Sequence, residues 1–162
     1  MKKIISTLFT AVFTIFLYAQ ETKLYDPQAD ASKDIEMAIN NAMAQNKFVL
    51  IQGGGNWCSW CIEFARFAKA DAKIDSVIKS SFVWYHLNFS KENENKKIFS
   101  QYGYAQRFGF PVFIILNQKG ERIHTQNSEY LEDGKKSYNR YKVQSFLEMW
   151  SPRAVNPKMY GD

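Results

Sequence analysis

Apolar positions recur along this chain with two periods, one helical and one extended. Ile35, Ala38, Ile39, Ala42 and Met43 share one face at helical spacing behind the candidate caps Asp30 and Ser32, which predicts a first helix. Phe48 to Ile51 is a short apolar, β-branched run suited to a buried strand, and Gly53-Gly54-Gly55 is expected to break it with a turn. Trp57 to about Ala72 reads as a helix with Phe64, Phe67 and Ala68 on one side. Asp71 to Ser80 either continues it or forms a second short helix carrying Ile74, Val77 and Ile78.

Phe82 to Phe89, rich in aromatic and β-branched residues, predicts a second strand. A short helix follows from about Asn95 to Tyr102. Gly109-Phe110-Pro111 interrupts the chain before Val112 to Leu116, the clearest central strand, and Asn117 to Gly120 turns it into a hairpin partner over Glu121 to Thr125. Asn127 to Arg140 is polar and reads as loop. Val143, Phe146, Leu147 and Trp150 mark a last helix, stopped by Pro152. Such alternation predicts an α/β domain with a central mixed β-sheet flanked by helices.

The first nineteen residues stand apart from this pattern. Lys2 and Lys3 precede an apolar run from Ile4 to Ala19 that ends on a small residue, the layout of a secretory signal peptide. An uncleaved anchor shares this layout, although sixteen residues fall short of the ~20 that a spanning helix needs. No cysteine follows the run closely, which argues against a lipid-modified terminus. The expected organisation is a signal peptide over 1–19, a polar arm over 20–30, one domain over 31–155 and a tail over 156–162. The expected location is periplasmic or secreted, and the chain is expected to act as a monomer.

The formal net charge is +5, and two of the lysines lie in the leader. The densest basic cluster, Lys135, Lys136, Arg140 and Lys142, sits beside tyrosines and the acidic pair Glu132 and Asp133. It reads as a solvated face rather than a nucleic-acid or membrane patch. Two cysteines are too few for a disulfide-stapled scaffold, so their meaning lies in their position.

Cys58 and Cys61 follow a predicted strand directly and open a predicted helix. The first turn of a helix offers unpaired N–H groups and the positive end of the dipole, and both favour a thiolate. Cys58, nearest that end and more exposed, would be the attacking thiol. Cys61, one turn further in, could reach back to close a disulfide and resolve the exchange.

The stretch from Phe48 to Cys61, with its Trp57-Cys58-Ser59-Trp60-Cys61, resembles the active-site strand and turn of the thioredoxin superfamily. The stretch from Phe108 to Glu121 resembles that family's second landmark, a cis-proline before a central strand and hairpin, and Pro111 lies fifty residues beyond Cys61. The resemblance covers about half the chain. It implies a thioredoxin-like fold and thiol–disulfide exchange with cysteine-containing exported proteins, driven by an upstream redox partner and needing no cofactor. It also implies that Pro111 is cis beside the cysteines, with the backbone next to it holding extended substrate. Trp57 is then expected to wall the site and Trp60 to be exposed, while Phe110 either touches substrate or packs.

Two departures from the family pattern stand out. Gln52, six residues before Cys58, occupies a position where many thioredoxins bury an acid, and Ser59-Trp60 replaces a Gly-Pro pair. The Trp-Cys-x-Trp-Cys form is similar to exported single-domain thioredoxin-like proteins of bacteria. Two rival readings use the same residues. A zinc site would need Cys58, Cys61, His86 and His124, but the histidines are too far apart in sequence for the usual ligand spacing, so no metal is expected. Alternatively the domain is a redox-inert peptide-binding or chaperone-like module with a permanent disulfide, although so small a loop is a poor staple.

Overall fold

The computed structural model describes residues 23–161. The expected signal peptide and the first residues of the arm lie outside these. Asp30 caps α1 (Ala31–Ala44), its carboxylate accepting from the N–H groups of Ser32 and Lys33 at 3.1 and 3.2 Å. Of the apolar stripe assigned to this helix, Ile35, Ala38 and Ala42 are buried, whereas Met43 is exposed. Among the described residues no helix is long and apolar enough to cross a membrane.

Four strands form one sheet in the order β2-β1-β3-β4: β1 (Phe48–Gly54), β2 (Phe82–Asn88), β3 (Val112–Leu116) and β4 (Arg122–Asn127). The β1–β2 pair is parallel, and the β1–β3 and β3–β4 pairs are antiparallel. The two central strands are buried along their whole length, which explains their unbroken apolar runs. Side chains alternate between two cores. Leu50, Phe113 and Ile115 face Phe64, Ile74, Val143 and Leu147, while Val49, Ile51, Ile114 and Leu116 face Ile35, Ala38 and Phe99.

The glycines do not end β1 as expected, because the strand runs through Gly53 and Gly54. A Cβ at Gly53 would meet the Phe99 ring at 3.0 Å, so the strand continues there because it carries no side chain. Of the two alternatives after the cysteines the structure takes the second, with separate helices α2 (Ser59–Ala70) and α3 (Ala72–Ser81). Asp71 makes the break. Its N–H bonds to Phe67 O while its carboxylate caps Lys73 and Ile74, so one extended residue ends one helix and starts the next. A short α4 (Lys96–Gln101) and a final α5 (Arg140–Met149) complete the layers.

The polar stretch before α5 is more ordered than its composition implies. Leu131 and Tyr138 are buried in it, and Glu132 bridges to Tyr138. Tyr138 packs edge-on against Phe64 with ring centres 5.0 Å apart, and Phe64 also meets Phe113 at 4.3 Å and Trp84 at 6.0 Å. Phe64 thus joins α2, the sheet and the segment leading to α5. Phe64→Ala is expected to lower the unfolding free energy by about 3–5 kcal/mol in urea titration, because four elements lose a shared contact that none can refill. A loss under about 1 kcal/mol would show that the site collapses around the smaller residue.

Candidate active site

The site is built where β1 hands over to α2. After Gly54 the chain turns tightly, with Cys58 N–H bonded to Gly55 O at 3.0 Å. Cys58 is the N-cap of α2, and its Sγ accepts from the Cys61 N–H at 3.2 Å. The two cysteines form a disulfide with Cα atoms 5.2 Å apart. Cys58 is 5% exposed and Cys61 is fully buried, so what access there is reaches the first sulfur. A sulfur at an N-cap receives the orphan N–H and the positive end of the helix, which favours its anionic form once the bond opens.

Phe110 and Trp60 pack against the cysteines, and Phe110 joins the buried Pro111 through a cis peptide bond. The cis peptide bond that the resemblance implied is present, and its Phe110 packs against the cysteine cluster. The two tryptophans differ from expectation in their exposure. Trp57 is 61% exposed, held by an Nε1 bond to Phe89 O at 2.7 Å and by an edge-on contact with Phe110 at 5.7 Å. Trp60 is half-buried, edge-on to Tyr138 at 5.4 Å, and its carbonyl accepts from the Tyr138 hydroxyl at 3.0 Å. The physical reason is the helix phase. Trp60 lies within the first turn of α2 on the side facing the core, whereas Trp57 precedes the cap and stands outside it. Phe110 sits among Trp57, Phe89 and Phe99, so packing is its evident contact.

Behind the disulfide the surroundings are polar and uncharged. Gln52 is fully buried, and its Nε2 donates to Cys61 O at 2.9 Å and to the Tyr25 hydroxyl at 2.7 Å. Its Oε1 has no partner among the described residues. Tyr25 comes from the polar arm and is fully buried against the cysteines. Asn56 holds its backbone at both ends, accepting from Tyr25 N–H at 3.0 Å and donating to Tyr25 O at 2.7 Å. Burial pushes the Tyr25 phenol well above its ordinary range, so it keeps its proton. Sequence reasoning missed this residue. The one signal was a Leu24-Tyr25 pair inside a polar run, which has no periodicity to read.

Among the described residues, the two histidines and Glu63 make no hydrogen bond to the sulfurs. His86, the β2 neighbour of Gln52, lies perpendicular to Tyr25 with ring centres 5.5 Å apart, and burial, helped by Lys69, pushes it down to about 4. His124 stacks on Trp150 at 4.0 Å, so the two histidines serve different aromatic contacts. Glu63 bonds Arg66 and Ser137 instead of facing Cys61, and its carboxyl is held low chiefly by Arg66.

The family model for the thioredoxin-like domain matches residues 35–132. No curated protein matches the chain in sequence. Among solved structures, a disulphide isomerase from Xylella fastidiosa Temecula1 is similar with a TM-score of 0.67 at 22% identity, covering 76% of this chain and 93% of that one. A thioredoxin from Thermus thermophilus is similar with a TM-score of 0.54 at 17% identity, over 78% of this chain and 88% of that one. The C-terminal domain of DsbD from Neisseria meningitidis, in its oxidised form, reaches 0.53 at 15% identity, over 74% and 95%. These likenesses show a shared fold. With its strand, turn and capped cysteine pair inside a match that spans more than half its length, the chain belongs to the thioredoxin-like family.

Proposed function

We propose that this protein is a thiol–disulfide oxidoreductase that exchanges disulfides with exported, cysteine-containing proteins. The observation that carries the reading is the Cys58–Cys61 bond closed across the N-cap of α2, with Cys58 Sγ already accepting a helix N–H. When the pair is reduced, Cys58 attacks a substrate disulfide as a thiolate. One substrate sulfur leaves with the electron pair and a mixed disulfide forms. Cys61 then attacks Cys58 Sγ, the protein disulfide closes and the second substrate sulfur departs as a thiolate. An upstream redox partner returns the pair to its starting state by the same exchange, and no cofactor takes part.

The exposed Trp57, with Phe110 behind it, offers an apolar landing surface beside Cys58. The backbone beside Pro111 supplies strand-like hydrogen bonds to an extended substrate segment, and Trp60 borders the same sulfurs from the α2 side. Export rests on Lys2 and Lys3 ahead of the apolar run to Ala19. A neighbour in fold is described as a disulphide isomerase, which is consistent with this reading.

Cys61→Ser is expected to accumulate a mixed disulfide on Cys58 when the protein meets its substrates, visible as a thiol-sensitive mass increase. In the reduced wild-type chain, alkylation near pH 6.5 is expected on Cys58 before Cys61. A bond that resists reduction at ordinary thiol poise, with no trapped adduct, would instead favour a redox-inert binding module.

Gln52 generates a second expectation. Among the described residues no group bonded to the pair titrates near neutrality, so the resolving step should speed up as pH rises towards the pKa of the Cys61 thiol. Gln52→Glu keeps the side-chain length and adds a titrating oxygen, and it is expected to raise the single-turnover resolution rate at pH 7 and flatten the profile. A wild-type rate already independent of pH would point to a different proton acceptor.

A further inference from the structure

Tyr25 is in contact with the redox pair, yet the exchange steps leave it without a part. Its placement is closely specified. Asn56 clamps its backbone by two hydrogen bonds, and Gln52 Nε2 fixes its hydroxyl oxygen at 2.7 Å. A phenol oxygen that accepts one bond still has its own proton to give. A Cβ at Gly54 would lie 2.4 Å from Cys61 Sγ and 2.9 Å from Tyr25 Oη. The hydroxyl and the resolving sulfur therefore both lie close to the same bare glycine, in one packed cluster. In the disulfide that sulfur is a weak acceptor. Opening the bond makes it a thiolate, to which charge-assisted hydrogen bonds are strong.

We propose, resting on the exchange reading above, that Tyr25 is a positioning residue whose hydroxyl donates a hydrogen bond to the Cys61 thiolate and so favours the reactive form of the resolving cysteine. During resolution the Cys61 electron pair forms the bond to Cys58 Sγ, and the substrate sulfur leaves with the pair from the broken S–S bond and takes a proton from water. Tyr25 keeps its proton throughout. A neutral donor thus does by hydrogen bonding what the uncharged Gln52 cannot do by taking a proton.

Other titratable groups lie on the elements packed around the site. His86 on β2 is pushed down to about 4, Tyr138 ahead of α5 is pushed up by burial, and Glu63 on α2 is held low by Arg66. None of them changes charge in the neutral range, so a shift in the Cys61 titration reports on Tyr25.

The test is a thiolate-absorbance titration of Cys61 in Cys58→Ser, with and without Tyr25→Phe. Loss of the hydroxyl is expected to raise the Cys61 midpoint by about one pH unit, a tenfold fall in thiolate at pH 7. In the chain with both cysteines, Tyr25→Phe is expected to slow mixed-disulfide resolution about tenfold while the alkylation rate of Cys58 stays the same. A merely loosened fold would alter both. An unmoved Cys61 midpoint overturns the proposal. Should the Phe variant not fold, 3-fluorotyrosine at position 25 is a stronger donor of nearly the same shape. It is expected to lower the midpoint, and no movement overturns the proposal equally. The two readings fail separately, because absence of any disulfide exchange by the wild-type chain sinks the oxidoreductase reading while the Cys61 titration still decides what Tyr25 does.

Discussion

At the C-terminal end of β1 the chain carries no side chains, and the site assembles in the space this leaves. At Gly53 a Cβ would press on the Phe99 ring and Val112, and at Gly54 it would lie within 3 Å of both Cys61 Sγ and the Tyr25 hydroxyl. Any larger residue at Gly54 forces the resolving sulfur, the arm or the strand to move. The bare strand end is therefore the constraint that lets a sulfur from α2 and a phenol from the arm both come close to the same backbone. It also lets β1 stay paired up to its last residues, with Gly53 opposite Leu87 and Val112, so that α2 starts from a rigid edge.

Around that point the protein has chosen hydrogen bonds over charge. A carboxylate behind the cysteines would be buried and costly unless paired. Gln52 is free of that cost, and a single amide nitrogen serves both Cys61 O and Tyr25 Oη. His86 adds a ring that stays neutral under ordinary conditions. The donors around the disulfide are fixed in place, with Cys61 N–H on the Cys58 sulfur and the Gln52 amide on Cys61 O and Tyr25 Oη.

The helix that carries the cysteines is seated by residues distant in sequence. The Tyr138 hydroxyl bonds Trp60 O, Ser137 bonds Glu63 and Arg140 pairs with Asp71, all from the segment entering α5. The Arg140–Asp71 pair is solvent-accessible and contributes little energy alone, and the Ser137–Glu63 bond is only partly buried. Their value is in orientation, while the burial of Tyr138 against Phe64 supplies the stability.

Local pattern alone determined the element order, the start of the first helix to within its candidate caps, the buried central strands and the position of the cysteine pair at a helix start. Each of these follows from spacing over a few residues, where period and capping chemistry act directly. The position of the Phe110–Pro111 turn was also legible, through family resemblance. Tertiary structure alone decided that Tyr25 closes the back of the site, that Trp57 faces outward while Trp60 packs, that a polar loop buries Tyr138 and that β1 passes through its glycines. Tyr25 reaches Gln52 across 27 residues, and Tyr138 reaches Trp60 across 78. Contacts of that reach leave no period in the sequence, because they depend on which side chains the sheet and helices bring to one point, and that is set only when the layers close.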